Sequence, residues 1–87
     1  MRESTIERSC SKWAKDNGWL GYKFSSPSQR GVPDRLYIKN GSVVFVEFKA
    51  LGKKPSVYQQ HTIRKMQSKG AIVHIIDNIE GFINAMS

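Results

Sequence analysis

Apolar and polar positions divide the chain into seven structured stretches. Ile6, Cys10, Trp13 and Ala14 recur at intervals of a helical turn, which makes one side of a helix apolar. Ser4-Thr5-Ile6-Glu7 has the pattern of a capping box with Ser4 as N-cap, and Asn17-Gly18 supplies a stop. Trp19–Phe24 alternates aromatic with small or polar side chains and predicts a strand. Ser25–Pro33 has the composition of a loop. Arg35–Lys39 and Val43–Lys49 are rich in β-formers, and Asn40-Gly41 between them is a strong hairpin signal. After the basic loop Leu51–Pro55, Ser56-Val57-Tyr58-Gln59 forms a second capping box, opening a helix that carries Val57, Ile63 and Met66 and stops at Gly70. Ala71–Ile76, apolar almost throughout, predicts a buried strand, and Ile79–Met86 a short closing helix. The order α-β-β-β-α-β-α predicts an α/β fold, with one mixed sheet flanked by helices.

Composition narrows the class. A chain of 87 residues, 39% hydrophobic and 24% charged, fits a single globular domain over residues 1–87 and excludes a disordered or fibrous protein. No apolar run is long enough to span a bilayer, and the opening Met1-Arg2-Glu3-Ser4 lacks the apolar core of a secretory signal, so a cytoplasmic protein is expected. The lone Cys10 excludes a disulfide framework and a cysteine-based zinc site. With 14 Lys and Arg against 7 Asp and Glu, the net charge of +7 makes polyanions the first partners to consider. The stretch from Lys49 to Lys69 holds six cations and no acid. Asp34 and Glu47 interrupt this otherwise basic middle of the chain, and they require an explanation.

The hairpin supplies one. Side chains alternate along a strand, so Glu47 and Lys49 share a face while Val44, Val46 and Phe48 share the other. Counting outward from a turn at Asn40-Gly41 places Asp34 opposite Glu47, to within about one residue. Two carboxylates and an ammonium then meet at one end of the hairpin. Hard cations such as Mg²⁺ prefer oxygen ligands of this kind and keep several waters. Taken separately, Glu47 and Lys49 also read as an edge ion pair, and Asp34 as a turn residue. Their convergence favours a site. His61 and His74 lie far apart without zinc-ligand spacing, His74 reading as a core histidine and His61 as a surface or phosphate-contacting one.

Pro33-Asp34 followed by Glu47-Phe48-Lys49 resembles the PD-(D/E)xK nuclease signature. Gly31-Val32-Pro33-Asp34-Arg35, the run Val43–Ala50 and Ser56-Val57-Tyr58-Gln59 are together similar to the virus-type replication-repair nuclease (VRR-NUC) domain. Ile6-Glu7-Arg8 followed by Gly18 is similar to the opening helix of archaeal Holliday-junction resolvases. The resemblance implies a restriction-endonuclease-like core and Mg²⁺-dependent phosphodiester hydrolysis, with Mn²⁺ able to substitute. It implies that Asp34, Glu47 and the backbone carbonyl of Phe48 hold the metal, and that Lys49 positions the attacking water. Glu7 matches the acid presented by the opening helix, with Glu3 as its rival. Gln59 matches a glutamine lying over the site, although a helix cap explains it equally well.

Lys23, Arg30, Lys53 and Lys54 are the expected DNA contacts, through phosphate charge rather than base reading. Arg35 also suits a salt bridge, and Arg64, Lys65 and Lys69 suit a solvated helix face. The small core favours a homodimer, and the resemblance implies one acting on branched DNA, a four-way junction foremost. Flaps and nicks are alternative substrates, and a basic nucleic-acid-binding module without cleavage is the alternative function. No membrane partner or small-molecule cofactor is expected, and a phage or its bacterial host is the expected setting.

Overall fold

The computed structural model describes all 87 residues. Helix α1 (Glu3–Asp16) precedes strands β1 (Leu20–Lys23), β2 (Arg35–Lys39) and β3 (Ser42–Phe48). Helix α2 (Val57–Ser68), strand β4 (Ile72–Ile76) and helix α3 (Ile79–Met86) complete the chain. The element order is the expected one, and the sheet is mixed. Its strands lie in the order β1-β2-β3-β4, the first three antiparallel and β4 parallel to β3 after the α2 crossover.

The β2–β3 turn sets the frame. Asn40 and Gly41 both adopt positive φ (50° and 81°), the conformation a two-residue hairpin of this twist demands. Lys39 pairs with Ser42 and Arg35 with Val46. Continuing the register brings Asp34 opposite Glu47, as counting from the turn predicts.

Helices α1 and α3 cover one face of the sheet. There Ile6, Cys10 and Ala14 of α1 pack with Tyr37, Val44, Val46, Phe48 and Ile76, and with Phe82 and Met86 of α3. Phe82 is the hub, its ring 5.5 Å from that of Tyr37 and 6.0 Å from those of Trp13 and Phe48. Full burial of such a ring contributes about 2–3 kcal/mol. The other face is covered only in part, by α2 over β4 and the end of β3.

The structure corrects three expectations. Helix α1 begins two residues earlier than the Ser4 capping box implies: Arg2 is the N-cap, without a side-chain cap, and its carbonyl accepts from the Ile6 N–H at 3.1 Å. This start puts Glu3 in the first turn, where the helix dipole favours an acid, and leaves Glu7 free of capping duty. The second capping box, at Ser56 and Gln59, does form. Val57 behind it is 83% exposed rather than core-facing, and α2 buries Ile63, as expected, together with Thr62. Strand β4 is an edge rather than a buried strand, with Val73 and Ile76 buried but Ile72 and Ile75 exposed.

Candidate active site

Glu47 lies on an interior strand and is 1% exposed, the only buried acid in the chain. Its neighbour across the hairpin, Asp34, is fixed at both ends of the residue. The Asp34 carbonyl accepts from the Phe24 N–H at 2.8 Å, and Oδ2 accepts from the Phe48 N–H at 3.2 Å. Lys49, two residues on from Glu47 and on its face, places Nζ 3.3 Å from Glu47 Oε2.

Gln59 joins this group from above. Its Oε1 accepts from the Ser56 N–H at 3.0 Å, closing the capping box, while its Nε2 donates to Glu47 Oε2 at 3.1 Å. One amide therefore caps α2 and holds the buried carboxylate, so the cap does not keep Gln59 from Glu47. Glu47 Oε2 is satisfied twice, but Oε1 is buried with no hydrogen-bond partner. An orphaned buried carboxylate oxygen carries a desolvation cost of at least about 1–3 kcal/mol.

The electrostatics follow from this geometry. Burial, reinforced by the negative charge of Asp34 and opposed by Lys49, pushes the Glu47 carboxyl up to about 7. Burial raises Asp34 as well, the Phe48 N–H opposing it and the charge of Glu7 adding to it. Two carboxyl groups that resist ionisation beside each other form a site that accepts a cation.

An oxygen-seeking divalent cation fits this donor set. The partnerless Oε1 of Glu47 and the carboxylate of Asp34 would be its hard ligands, one from β3 and one from the residue that leads into β2. No group of three or more His, Cys, Asp or Glu side chains converges anywhere in the fold, so a third ligand would come from water, substrate or backbone. Mg²⁺, which retains waters, suits such a site better than Zn²⁺.

The acids and bases expected around this centre take different places. Glu7 reaches the end of the sheet from α1, where its carboxylate accepts from Arg35 Nε and from Lys23 Nζ at 3.1 Å. Burial opposes its ionisation, but the bonds and charges of Arg35 and Lys23 outweigh it and hold the Glu7 pKa low. Arg35 is thus a salt-bridge residue, the use its position beside Asp34 suggests. Lys23 is committed in part to the same acid. Glu3 influences the centre only through its charge on Glu47.

Arg30 stands at the site. It lines a cavity of about 380 Å³ with Gly31, Lys49, Ser56, Tyr58 and Gln59. Lys53 and Lys54 are exposed in the β3–α2 loop, and Lys54 faces a separate groove formed with Gln60, Arg64 and Gln67. His61 is exposed on α2, and half-buried His74 lies on β4. Two residues at this cavity escape the sequence reading: Tyr58 in its wall, and Thr62, buried behind it and bonded to the Arg30 carbonyl. Their signal is spacing: Thr62 is polar at the turn after Gln59, on the side of α2 that packs on the sheet.

No protein-family profile matches the chain. A protein of Acyrthosiphon pisum secondary endosymbiont phage 1 named "Putative nuclease p44" is 40% identical over 79 residues, spanning 90% of this chain and 85% of that one. A solved structure described as a VRR_NUC domain matches with a TM-score of 0.88, covering 97% of this chain and 92% of that chain at 23% identity. A relative that similar along nearly the whole chain shows that the chain belongs to the family of this phage protein, and its fold is that of a VRR_NUC domain.

Proposed function

We propose that the chain is a Mg²⁺-dependent DNA endonuclease, with Mn²⁺ able to replace Mg²⁺, that cleaves branched DNA as a homodimer. The observation that carries this reading is the buried Glu47 carboxylate. It has one oxygen pinned by Gln59 and Lys49, the other without a partner, and Asp34 opposite. The likeness to a phage protein named as a nuclease supports it.

Hydrolysis of a phosphodiester requires an activated water, in-line attack and neutralisation of charge on the phosphorus oxygens. Held by Asp34 and Glu47, with the Phe48 carbonyl beside them, the cation would supply Lewis acidity and lower the pKa of a bound water. Lys49 places a point charge where negative charge develops and orients the water. Gln59 keeps Glu47 in one rotamer by fixing Oε2, which leaves Oε1 facing the site. Glu7, tied to Arg35 and Lys23, steadies the outer edge and adds negative charge at Asp34. Arg30 sits beside Lys49 as the phosphate contact, and Lys53 and Lys54 extend the basic surface along the backbone.

The homodimer is supported by an uncovered patch. On the face that α2 leaves open, Leu20, Tyr22, Leu36, Ile38, Val43 and Phe45 lie side by side, with Leu20 52%, Tyr22 53% and Val43 42% exposed. The cations of these strands, Lys23, Arg35 and Lys39, project from the opposite face, and Glu47, the one acid on this face, is buried beneath Gln59 of α2. A patch without charge lets two copies of a +7 chain meet without opposing like charges.

The test is cleavage of four-way junctions, flaps, nicked DNA and duplex in Mg²⁺ or Mn²⁺, comparing wild type with Glu47→Ala. Loss of activity by about a hundredfold or more is expected for the variant, the scale of removing one charge-stabilising group. Equal activity would overturn the assignment, and junction binding without cutting by wild type would favour the non-cleaving module.

A further inference from the structure

The loop before the catalytic hairpin is locked onto α2 at one point. Gly31 has φ of +82°, and a Cβ added there would lie 2.9 Å from Thr62 Oγ1 and 3.1 Å from Tyr58 Cδ1. The backbone and the helix therefore touch with no room for a side chain. The Thr62 hydroxyl, almost fully buried, donates to the Arg30 carbonyl at 3.1 Å. Arg30 is thus held by its backbone, unlike a surface arginine on a free loop. Its guanidinium lies 5.4 Å from the centre of the Tyr58 ring. Tyr58 remains 51% exposed, and both side chains line the cavity that also holds Lys49 and Gln59.

We infer that Arg30 and Tyr58 form a subsite for the nucleotide that flanks the cleaved bond, Tyr58 stacking on a base that is unpaired and Arg30 binding the adjoining phosphate. This rests on the nuclease reading of the neighbouring carboxylates. The cavity contains an aromatic face, a cation held against it and the catalytic lysine, but no acid. That is the combination by which single-stranded nucleotides are gripped: charge for the phosphate and a ring for the base. A base inside continuous duplex has both faces covered by its neighbours and offers nothing to Tyr58. A base at a branch point, bulge or end has one free. Tyr58 therefore gives a domain without a base-reading element a means of preferring interrupted DNA.

The probe is a DNA with 2-aminopurine at one unpaired nucleotide beside a branch, compared with the same base in continuous duplex. Binding is measured without divalent metal, so no cutting occurs. Wild type and Tyr58→Phe are expected to quench the unpaired base and to bind the branched probe with similar affinity. Tyr58→Ala should lose the quench and about tenfold in affinity, within the range of one lost base–aromatic stack, while its binding to continuous duplex stays within about twofold. Thermal melting of the three proteins confirms that each is folded, as expected for a half-exposed side chain. Retained quench and affinity in Tyr58→Ala overturns the inference, as does an equal loss on both DNAs. Failure of wild type to cut any DNA in Mg²⁺ would count against the nuclease reading alone, because the quench does not depend on cleavage.

Discussion

At the scale of single residues, Glu47 joins stability to chemistry. Its carboxyl is raised from the ordinary 4.5 to about 7, so the folded chain holds a proton that the unfolded chain has released. The stability this contributes is complete below the ordinary value and is lost as pH rises through the folded value. The metal-free protein should therefore melt at falling temperature between about pH 5 and pH 7, the whole effect reaching at most about 3 kcal/mol. Glu47→Gln has no proton to lose and should show a flatter pH profile by differential scanning fluorimetry. A wild-type profile that rises across this window would contradict the assignment of the shift to Glu47. Mg²⁺ should raise the wild-type melting temperature at pH 8 and leave Glu47→Gln almost unchanged. The pairing of Glu47 with Asp34 was legible in the sequence because it depends only on alternation and a local turn. The commitment of Glu7 to Arg35 was less so, since those residues meet across separate elements and nothing in their spacing announces it. Gln59 was ambiguous for a different reason: a cap and a site contact use opposite ends of one amide, and the pattern is the same whichever is present.

Among the elements, the β2–β3 hairpin and the Gly31 contact show two different demands on glycine. Gly41 sits at positive φ with open space around it, so Gly41→Ala meets only the conformational penalty, about 1–2 kcal/mol. Gly31→Ala meets the same penalty and a collision with Thr62 and Tyr58 besides. Urea unfolding should rank Gly31→Ala as the more destabilised of the two, and the reverse order would show that the loop yields readily. Local signals served the elements well where they were strong, as at Asn40-Gly41 and Ser56–Gln59. They failed at Ser4 because a capping pattern does not exclude a start two residues earlier, and the structure takes the earlier one, which frees Glu7. They failed at β4 because a continuous apolar run does not distinguish a central strand from an edge strand with one covered face.

For the molecule as a whole, the unequal covering of the sheet is the feature that periodicity could not reveal. Alternation identifies which side chains share a face, but not that α2 is too short and too far to one side to cover β1 and β2. The exposed patch predicts the state of association. Light scattering should give a mass near twice the 9.9 kDa of the chain, and Val43→Asp should return it to the monomer while leaving the fold intact by circular dichroism. A monomeric wild type would remove the dimer from the proposed function without touching the carboxylate site.

The sheet order has a further consequence. Strand β3 is the only strand bonded antiparallel on one side and parallel on the other, and it carries both Glu47 and the Phe48 amide that fixes Asp34. Fraying begins at the edges of a sheet, here β1 and β4, and reaches the inner strands β2 and β3 last. The amide protons around Glu47 should thus be among the slowest of the chain to exchange with solvent, which hydrogen exchange followed by NMR would check. Selection acting to keep the carboxylates in place and selection acting to keep the chain folded fall on the same strand, while β1 and the outer side of β4 are free to drift. Divergent members of such a lineage would be expected to agree in β3 and to differ at the margins, where new partners are acquired.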